Sequence, residues 1–304
     1  METKEEIVKP VHYDKCPLCL SEKTDSYLRV KDHFLSKEEF EISRCDGCGF
    51  TFTQDHPDEN AISDYYKSED YLSHNDRTGS LSALLYRIVR SLMLKRKLRI
   101  VKRFSGLISG TLLDIGSGSG HFASFMKRKG WKVSGIEING KAREESSQKF
   151  DIQIFDPDQI SSFASGSFDC ITLWHSLEHF QDPFKYAEEI KRLLKPEGVC
   201  ILALPNSDSC DAHYYLEFWG AWDVPRHLWH FNPETFSAFS EKSGFTLKST
   251  LSLPLDVFYI SILSEKYQSS GLYFISGIIK GVWFSLLSAF NKKRSSSVIY
   301  ILSK

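Results

Sequence analysis

Residues 111–121 read TLLDIGSGSGH. An apolar strand runs into Asp114, a loop follows with glycine at alternate positions (Gly116, Gly118, Gly120), and His121 and Phe122 open a helix. Glycine allows the sharp turn and the close backbone approach to a ligand that such a loop needs. A strand, glycine loop and helix in this order place the loop at the carboxyl edge of a parallel sheet, the crevice where ligands bind in doubly wound α/β folds. The dinucleotide fingerprint G-x-G-x-x-G is not met, because position 121 is His, so a nicotinamide or flavin cofactor fits poorly. Glu137 ends the next strand-like run, and a carboxylate there can accept hydrogen bonds from both hydroxyls of a ribose.

The alternation continues along the chain. Strands are expected at 111–115, 132–138, 151–155, 168–174 and 198–204, a sixth from Phe245 and a seventh at 298–302. Helices are expected at 183–194, ending in a Lys-Pro-Glu-Gly turn, and at 233–243, ending at Gly244. Repeated βα units specify a doubly wound, mostly parallel seven-stranded sheet with helices on both faces, a Rossmann-like domain over 106–304. An apolar insert, 255–295, separates the last two strands. Within it, 272–290 carries one charge, Lys280, and is followed by Lys292, Lys293 and Arg294. Its length approaches a membrane span. Central Lys280, and the need to return to the sheet, favour a core-covering or interface helix, with peripheral membrane contact through 272–290 as the alternative.

Seven cysteines are present, and four of them form two CxxC knuckles, Cys16/Cys19 and Cys45/Cys48. Paired knuckles supply four thiolates to one tetrahedral ion, so residues 1–53 are expected to form a small zinc ribbon with a closed, structural metal. The start of the chain lacks an apolar signal region, which points to the cytoplasm and to metal in preference to disulfides. Residues 54–105 form a linker containing Tyr65, Tyr66 and Tyr71, and then a basic helix, 81–105, whose charged side is expected to be the solvated face of a helix packed on the sheet. The formal net charge of −1 gives no electrostatic case for a nucleic-acid partner.

The loops that follow the strands carry the polar chemistry. Trp174 and His175 follow strand four, and His175 is the expected cofactor or substrate contact, while Glu178 and His179 are expected to pack and cap a helix start. Adjacent residues on a helix do not face one point, which weakens a metal reading of His175, Glu178 and His179. A second loop, WGAWDVPRHLWHF, brings Asp223, Arg226, His227 and His230 before a helix. These residues suit a polar substrate, with His227 as the base for an acceptor hydroxyl, or alternatively a lid in which Arg226 pairs with Asp223.

The glycine loop, Glu137, the SFDCITLWHSLEH block, the KPEG turn and DVPRHLWHF together resemble class I S-adenosylmethionine (SAM) methyltransferases. The similarity is to the branch containing ubiquinone-pathway O-methyltransferases and enzymes of bacterial surface-glycan pathways, and it covers roughly residues 60–304. The resemblance implies a SAM site built from Asp114, Gly116, Ser117, Gly118, Gly120, Glu137, Asp156 and Trp174. It implies in-line methyl transfer, with His227, His175 and His230 as candidate catalytic residues. The expected acceptor is a small molecule, a glycan or a lipid-linked intermediate, methylated on oxygen. A four-cysteine ribbon before such a domain is also similar to sugar C-methyltransferases, although those carry a further C-terminal domain for which this chain is too short. A scaffold that binds SAM without turnover is the remaining alternative.

Overall fold

The structure is a computed structural model that describes residues 10–66 and 81–304. Seven strands form the main sheet: β4 (Thr111–Ile115), β5 (Lys132–Ile136), β6 (Gln153–Phe155), β7 (Phe168–Trp174), β8 (Leu194–Pro205), β10 (Thr246–Ser252) and β11 (Ser297–Ser303). Their spatial order is β10-β11-β8-β7-β4-β5-β6. The pairs from β8 to β6 are parallel, and β11 runs antiparallel to both its neighbours. This is the expected mostly parallel, seven-stranded, doubly wound architecture. The chain winds outward from β4 to β6 and then returns to place β7 against β4. The switch point therefore lies between the carboxyl ends of β4 and β7, where the glycine loop and His175 emerge.

Period-two alternation places apolar side chains on both faces of the sheet. Leu113, Ile115, Ile171, Leu173, Cys200, Leu202 and Tyr300 belong to one buried cluster, and Leu112, Cys170, Ile201, Ala203, Ile299 and Ile301 to the other. The basic helix α1 (Leu81–Ser105) covers the second face with Ile100 and Val101, which are buried, and turns much of its charge outward, as expected. Helices α2 (His121–Arg128), α3 (Gly140–Phe150), α4 (Pro183–Leu193), α5 (Cys210–Tyr215) and α6 (Pro233–Lys242) complete the layers. Two boundaries differ from the sequence reading. Residues 137 and 138 lie beyond β5, and β8 begins at Leu194, so the Lys-Pro-Glu-Gly turn is drawn into the strand.

The N-terminal segment forms a second sheet of β1 (Thr24–Lys31), β2 (Glu39–Cys45) and β3 (Thr51–Gln54), all antiparallel. A fourth strand, β9 (Trp229–His230), comes from the DVPRHLWHF loop and pairs with β3 through Thr51–His230 and Phe52–Trp229. The cores are also joined: Cys16, Leu18, Phe50 and Phe52 lie in one cluster with Leu113, Leu173 and Trp229.

The insert is a helical hairpin of α7 (Asp256–Tyr267) and α8 (Tyr273–Phe290). Glycines set its close packing. A Cβ on Gly277 would stand 2.6 Å from Ile262 Cα, and one on Gly281 would stand 2.6 Å from the Phe258 ring. Lys280 faces inward, pairing with Glu265 at 2.6 Å and lying 4.6 Å from the Tyr214 ring centroid. Of the expected core-covering or interface helix, the core-covering form does not hold: only 17% of α8 is buried, and Phe274, Ile275, Ile279, Trp283, Leu286 and Phe290 are exposed.

Candidate active site

At the end of β4 the Gly116 and Ser117 N–H groups both donate to Ile136 O, at 2.8 and 2.9 Å. Ser117 Oγ donates to Asp114 O at 2.7 Å. Gly116 adopts φ +75° and leaves no room for a side chain, because a Cβ would stand 2.1 Å from Ser176 Oγ. Gly118, at φ +51°, differs: no atom lies within 4 Å of its would-be Cβ, so this part of the loop faces open space. Gly118 N–H donates to Glu137 Oε2 at 2.7 Å, and Asn139 N–H donates to Oε1 at 2.9 Å. The Glu137 carboxylate is thereby fixed beside the loop.

Asp114 is buried and accepts from Thr172 Oγ1 at 2.7 Å. Burial pushes its carboxyl up to about 6, against the pull of Thr172 and of the Lys97 ammonium. Lys97, from α1, lies 4.2 Å from the Trp174 ring centroid, and its burial lowers it to about 8. The Trp174 Nε1 is buried without a partner among the described residues. Lys97 was not singled out from the sequence, where it is one of eight basic residues on α1; only its register beside the buried residues Ile100 and Val101 marks it. Asp156 caps the 3-10 turn Pro157–Ser162 and pairs with Arg143 at 2.8 Å.

Beyond β7 the chain enters His175 at φ +57°, a left-handed conformation costly for a non-glycine residue. His175 Nε2 pairs with Asp256 at 2.8 Å, and Nδ1 lies 3.5 Å from Glu178 Oε1. Burial opposes the imidazolium, but Asp256 and Glu178 override it and hold the group at about 10, so His175 is a cation and not a base at neutral pH. Asp256 is the first residue of the hairpin, so the insert is tied to the end of β7 through His175.

Glu178 and His179 lie in a 3-10 turn, Leu177–His179, instead of an α-helix start. Adjacent side chains leave such a turn in different directions, so any meeting of Glu178 and His179 depends on side-chain reach and on the facing loop that carries His227. One ligand-type atom from each of Glu178, His179 and His227 lies within 4.8 Å of the others. His179 Nδ1 donates to Arg226 O at 3.0 Å and also lies 2.9 Å from Tyr66 Oη. His227 Nδ1 donates to Ala221 O at 2.8 Å. Of the linker tyrosines, Tyr66 reaches this cluster, Tyr65 donates to Glu38 at 2.6 Å, and Tyr71 lies outside the described residues.

Arg226 holds the loop. Its guanidinium donates to Asp223 at 2.7 Å and to Asp32, in the β1–β2 turn, at 2.9 Å. The Arg226–Asp223 pair of the alternative reading is present, and the N-terminal sheet supplies a second carboxylate, Asp32, that the sequence does not reveal. His230 is committed elsewhere: Thr53 Oγ1 donates to His227 O at 2.7 Å and accepts from His230 Nε2 at 3.0 Å. His230 is buried in the joint between ribbon and loop, edge-on to Trp222.

The four cysteines converge. Cys16 and Cys48 Sγ are 3.7 Å apart, and Cys19 and Cys45 Sγ are 3.5 Å apart, with all four mutually within 4.8 Å. These spacings are far longer than a disulfide and match the edge of a tetrahedron, about 3.8 Å for metal–sulfur bonds of about 2.3 Å.

A glycine loop at the switch point and a carboxylate fixed beside it after the next strand are the parts of a nucleoside-cofactor site. Residues 87–250 match the family model described as a methyltransferase domain. The chain belongs to that methyltransferase family. Ubiquinone biosynthesis O-methyltransferase of Pseudomonas paraeruginosa (strain DSM 24068 / PA7) is 28% identical over 168 residues, which are 49% of this chain and 70% of that protein. The enzyme of the same description from Actinobacillus pleuropneumoniae serotype 5b (strain L20) is 34% identical over 119 residues, 35% of this chain and 50% of that one. Among solved structures, geranyl diphosphate C-methyltransferase from Streptomyces coelicolor A3(2) matches with a TM-score of 0.50 at 13% identity, over 78% of this chain and 89% of that chain. A geranyl diphosphate methyltransferase in complex with SAM matches at 0.50 and 14% identity, over 76% and 93%. At these identities the structures show a shared fold. The protein is a SAM-dependent methyltransferase.

Proposed function

We propose that this methyltransferase is O-directed and acts on a glycan or lipid-linked small-molecule hydroxyl at a cytoplasmic membrane surface. The observation that carries the reading is the cluster of Glu178 and His227 beyond β7, where His227 Nδ1 is tied to Ala221 O and Nε2 faces Asp223 Oδ2 at 3.9 Å, an arrangement in which the ring can take up a proton. An O-methylation needs a proton acceptor as the hydroxyl attacks the methyl carbon. The sulfonium charge disappears in that step, so the protein mainly has to align the reactants and exclude water.

SAM is assigned to the glycine loop. Open Gly118 approaches its methionine and ribose portions, Glu137 takes the ribose hydroxyls in exchange for backbone N–H groups, and Asp114 acts on the ammonium through Ser117 and the loop. Gly116 and Gly120 shape the turn, Asp156 borders the adenine side, and Trp174 with Lys97 closes the methionine end. His227 is assigned as the base, His175 as a cationic positioning group, and His230 as a joint residue that fixes the loop carrying His227. The four cysteines are assigned one structural zinc, held by Cys16, Cys19, Cys45 and Cys48.

The apolar outer face of α8 supports membrane contact. Its one charge is turned inward, and Lys292, Lys293 and Arg294 follow at its end. Purified protein given SAM and a panel of lipid-linked sugars and phenols should methylate a hydroxyl. It should also float with anionic vesicles, and Ile279→Gln with Trp283→Gln should abolish flotation without changing SAM affinity. Transfer only to carbon or nitrogen acceptors would overturn the O-directed reading, and flotation that survives the double substitution would overturn the membrane face.

A further inference from the structure

We propose that Glu178, His179 and His227 bind one divalent first-row transition cation, at a site distinct from the four-cysteine centre. Three observations point there. The first is convergence: two imidazoles and a carboxylate each place a ligand atom within 4.8 Å of the others, with the two rings edge-to-face at 4.6 Å. The second is the tautomer. Both imidazoles donate Nδ1–H to backbone carbonyls, His179 to Arg226 O and His227 to Ala221 O, which in the neutral rings puts the lone pair on Nε2, with Asp223 Oδ2 3.9 Å from that atom of His227. A ring nitrogen bonded to a carbonyl is the arrangement that orients metal-ligating histidines and raises their basicity. The third is Glu178 itself. Its side chain is 0% exposed, yet neither carboxylate oxygen accepts a hydrogen bond among the described residues. A buried carboxylate is costly unless paired, and the His175 cation, 3.5 Å away and already bonded to Asp256, pairs Glu178 only in part, so its oxygens can still meet a second cation. His175 Nδ1, at 3.5 Å, is too far for a hydrogen bond of ordinary strength, and its ring is already bonded to Asp256.

The scaffold favours the same conclusion. Leu228 N–H donates to Glu178 O at 2.8 Å, which ties the turn carrying two ligands to the loop carrying the third. The loop is anchored in turn by Arg226 on Asp32 and Asp223. Ligand atoms on one ion stand about 3.3 Å apart, so binding draws the three side chains inward by small rotations. Two nitrogens and one carboxylate suit zinc, manganese, iron or cobalt, and three protein ligands leave coordination positions open. An acceptor hydroxyl in an open position is acidified by the cation. This role, though not the binding, rests on the O-directed reading; with the cation in place His227 is a ligand and no longer the base.

Cobalt(II) tests the site in the full chain, after metal removal under reducing conditions. Two cobalt ions per chain are expected: one with strong thiolate charge-transfer bands from the cysteines, one with only weak visible bands from nitrogen and oxygen ligands. Glu178→Gln and His227→Asn should each lower the count from two to one and leave the thiolate bands and far-ultraviolet dichroism intact. Asparagine keeps the Ala221 bond and lacks Nε2, so it removes the ligand with least disturbance. One cobalt per chain in the unaltered protein, or two in a folded Glu178→Gln variant, overturns the proposal. The second cobalt is counted without any acceptor, so a failure of the O-directed reading does not erase it. Full hydroxyl methylation by protein that retains only the thiolate-bound ion overturns the catalytic role of the cation and leaves that reading standing.

Discussion

Asp32→Asn tests whether the ribbon holds the active-site loop. Asp32 and Arg226 are 0% and 1% exposed and their charged atoms are 2.9 Å apart. Asp32 also accepts from the N–H groups of Phe34, Leu35 and Ser36, and so shapes the β1–β2 turn. Burial alone would raise its pKa, but the Arg226 guanidinium and these N–H groups dominate and lower it from 3.8 to about 2. At ~1.36 kcal/mol per pKa unit this depression is worth about 2 kcal/mol. Breaking a buried pair outright costs roughly 3–5 kcal/mol, and the low end applies here because Asp223 still neutralises Arg226. The two routes agree on a loss of about 2–3 kcal/mol. The sign with pH follows from the depressed value. The contribution is complete above pH 4 and disappears as pH falls towards 2, since below both values the carboxyl is neutral in folded and unfolded chains alike. Urea unfolding of wild type and variant should therefore differ by about 2–3 kcal/mol at pH 7 and converge as the pH drops below 4. Acid release of any metal held by the four cysteines would affect both proteins and cancel in the difference. A difference below about 0.5 kcal/mol at pH 7, or one that does not shrink in acid, would refute the reasoning.

Glu137→Gln should weaken SAM binding by about 10- to 100-fold, the worth of a charge-assisted hydrogen bond, and unchanged affinity in calorimetry would remove Glu137 from the cofactor site. Gly116→Ala should give little folded protein, because the new Cβ meets Ser176, whereas Gly118→Ala should fold at a cost of about 1 kcal/mol and lose SAM affinity; equal yields on expression would contradict the contrast. With Asp114 raised to about 6, the ligand-free protein should lose stability as pH rises from 4 through 6, while SAM affinity rises over the upper part of that window as the carboxylate forms. Calorimetry from pH 5 to 8 should show that rise in wild type and not in Asp114→Asn. Cys19→Ser should lower zinc content by about one per chain and reduce turnover along with stability, because the ribbon sheet carries β9; metal analysis that finds no loss would dismiss the four-cysteine site.

The architecture was readable because it rests on local signals. Glycines with left-handed backbone mark the loop at 116–120, and period-two apolar runs mark the central strands. The site was only partly readable. His175 looked like a free contact because Asp256, its partner, lies across an insert with no sequence signal for where it folds back. Glu178 and His179 are adjacent and leave the chain in different directions, and their ligand atoms come within 4.8 Å through side-chain reach and the His227 loop, neither of which has a sequence period. His230 and Arg226 looked like substrate ligands because polar residues in an active-edge loop usually are. Their partners, Thr53 and Asp32, come from the ribbon, and pairing between segments so distant in sequence leaves no local trace.

The β3–β9 pair has a consequence for how the chain is made. Thr51 and Phe52 leave the ribosome long before Trp229 and His230, which complete their sheet. Throughout that interval β3 is an open edge, with backbone groups able to pair with another chain. Phe52, fully buried in the finished protein, waits beside it without its cover. Metal capture by the knuckles, whose ligands are all synthesised by residue 48, can fix the turn preceding β3 during the wait. An ion held by the four cysteines would then also protect a nascent edge until the methyltransferase sheet has been laid down to receive it.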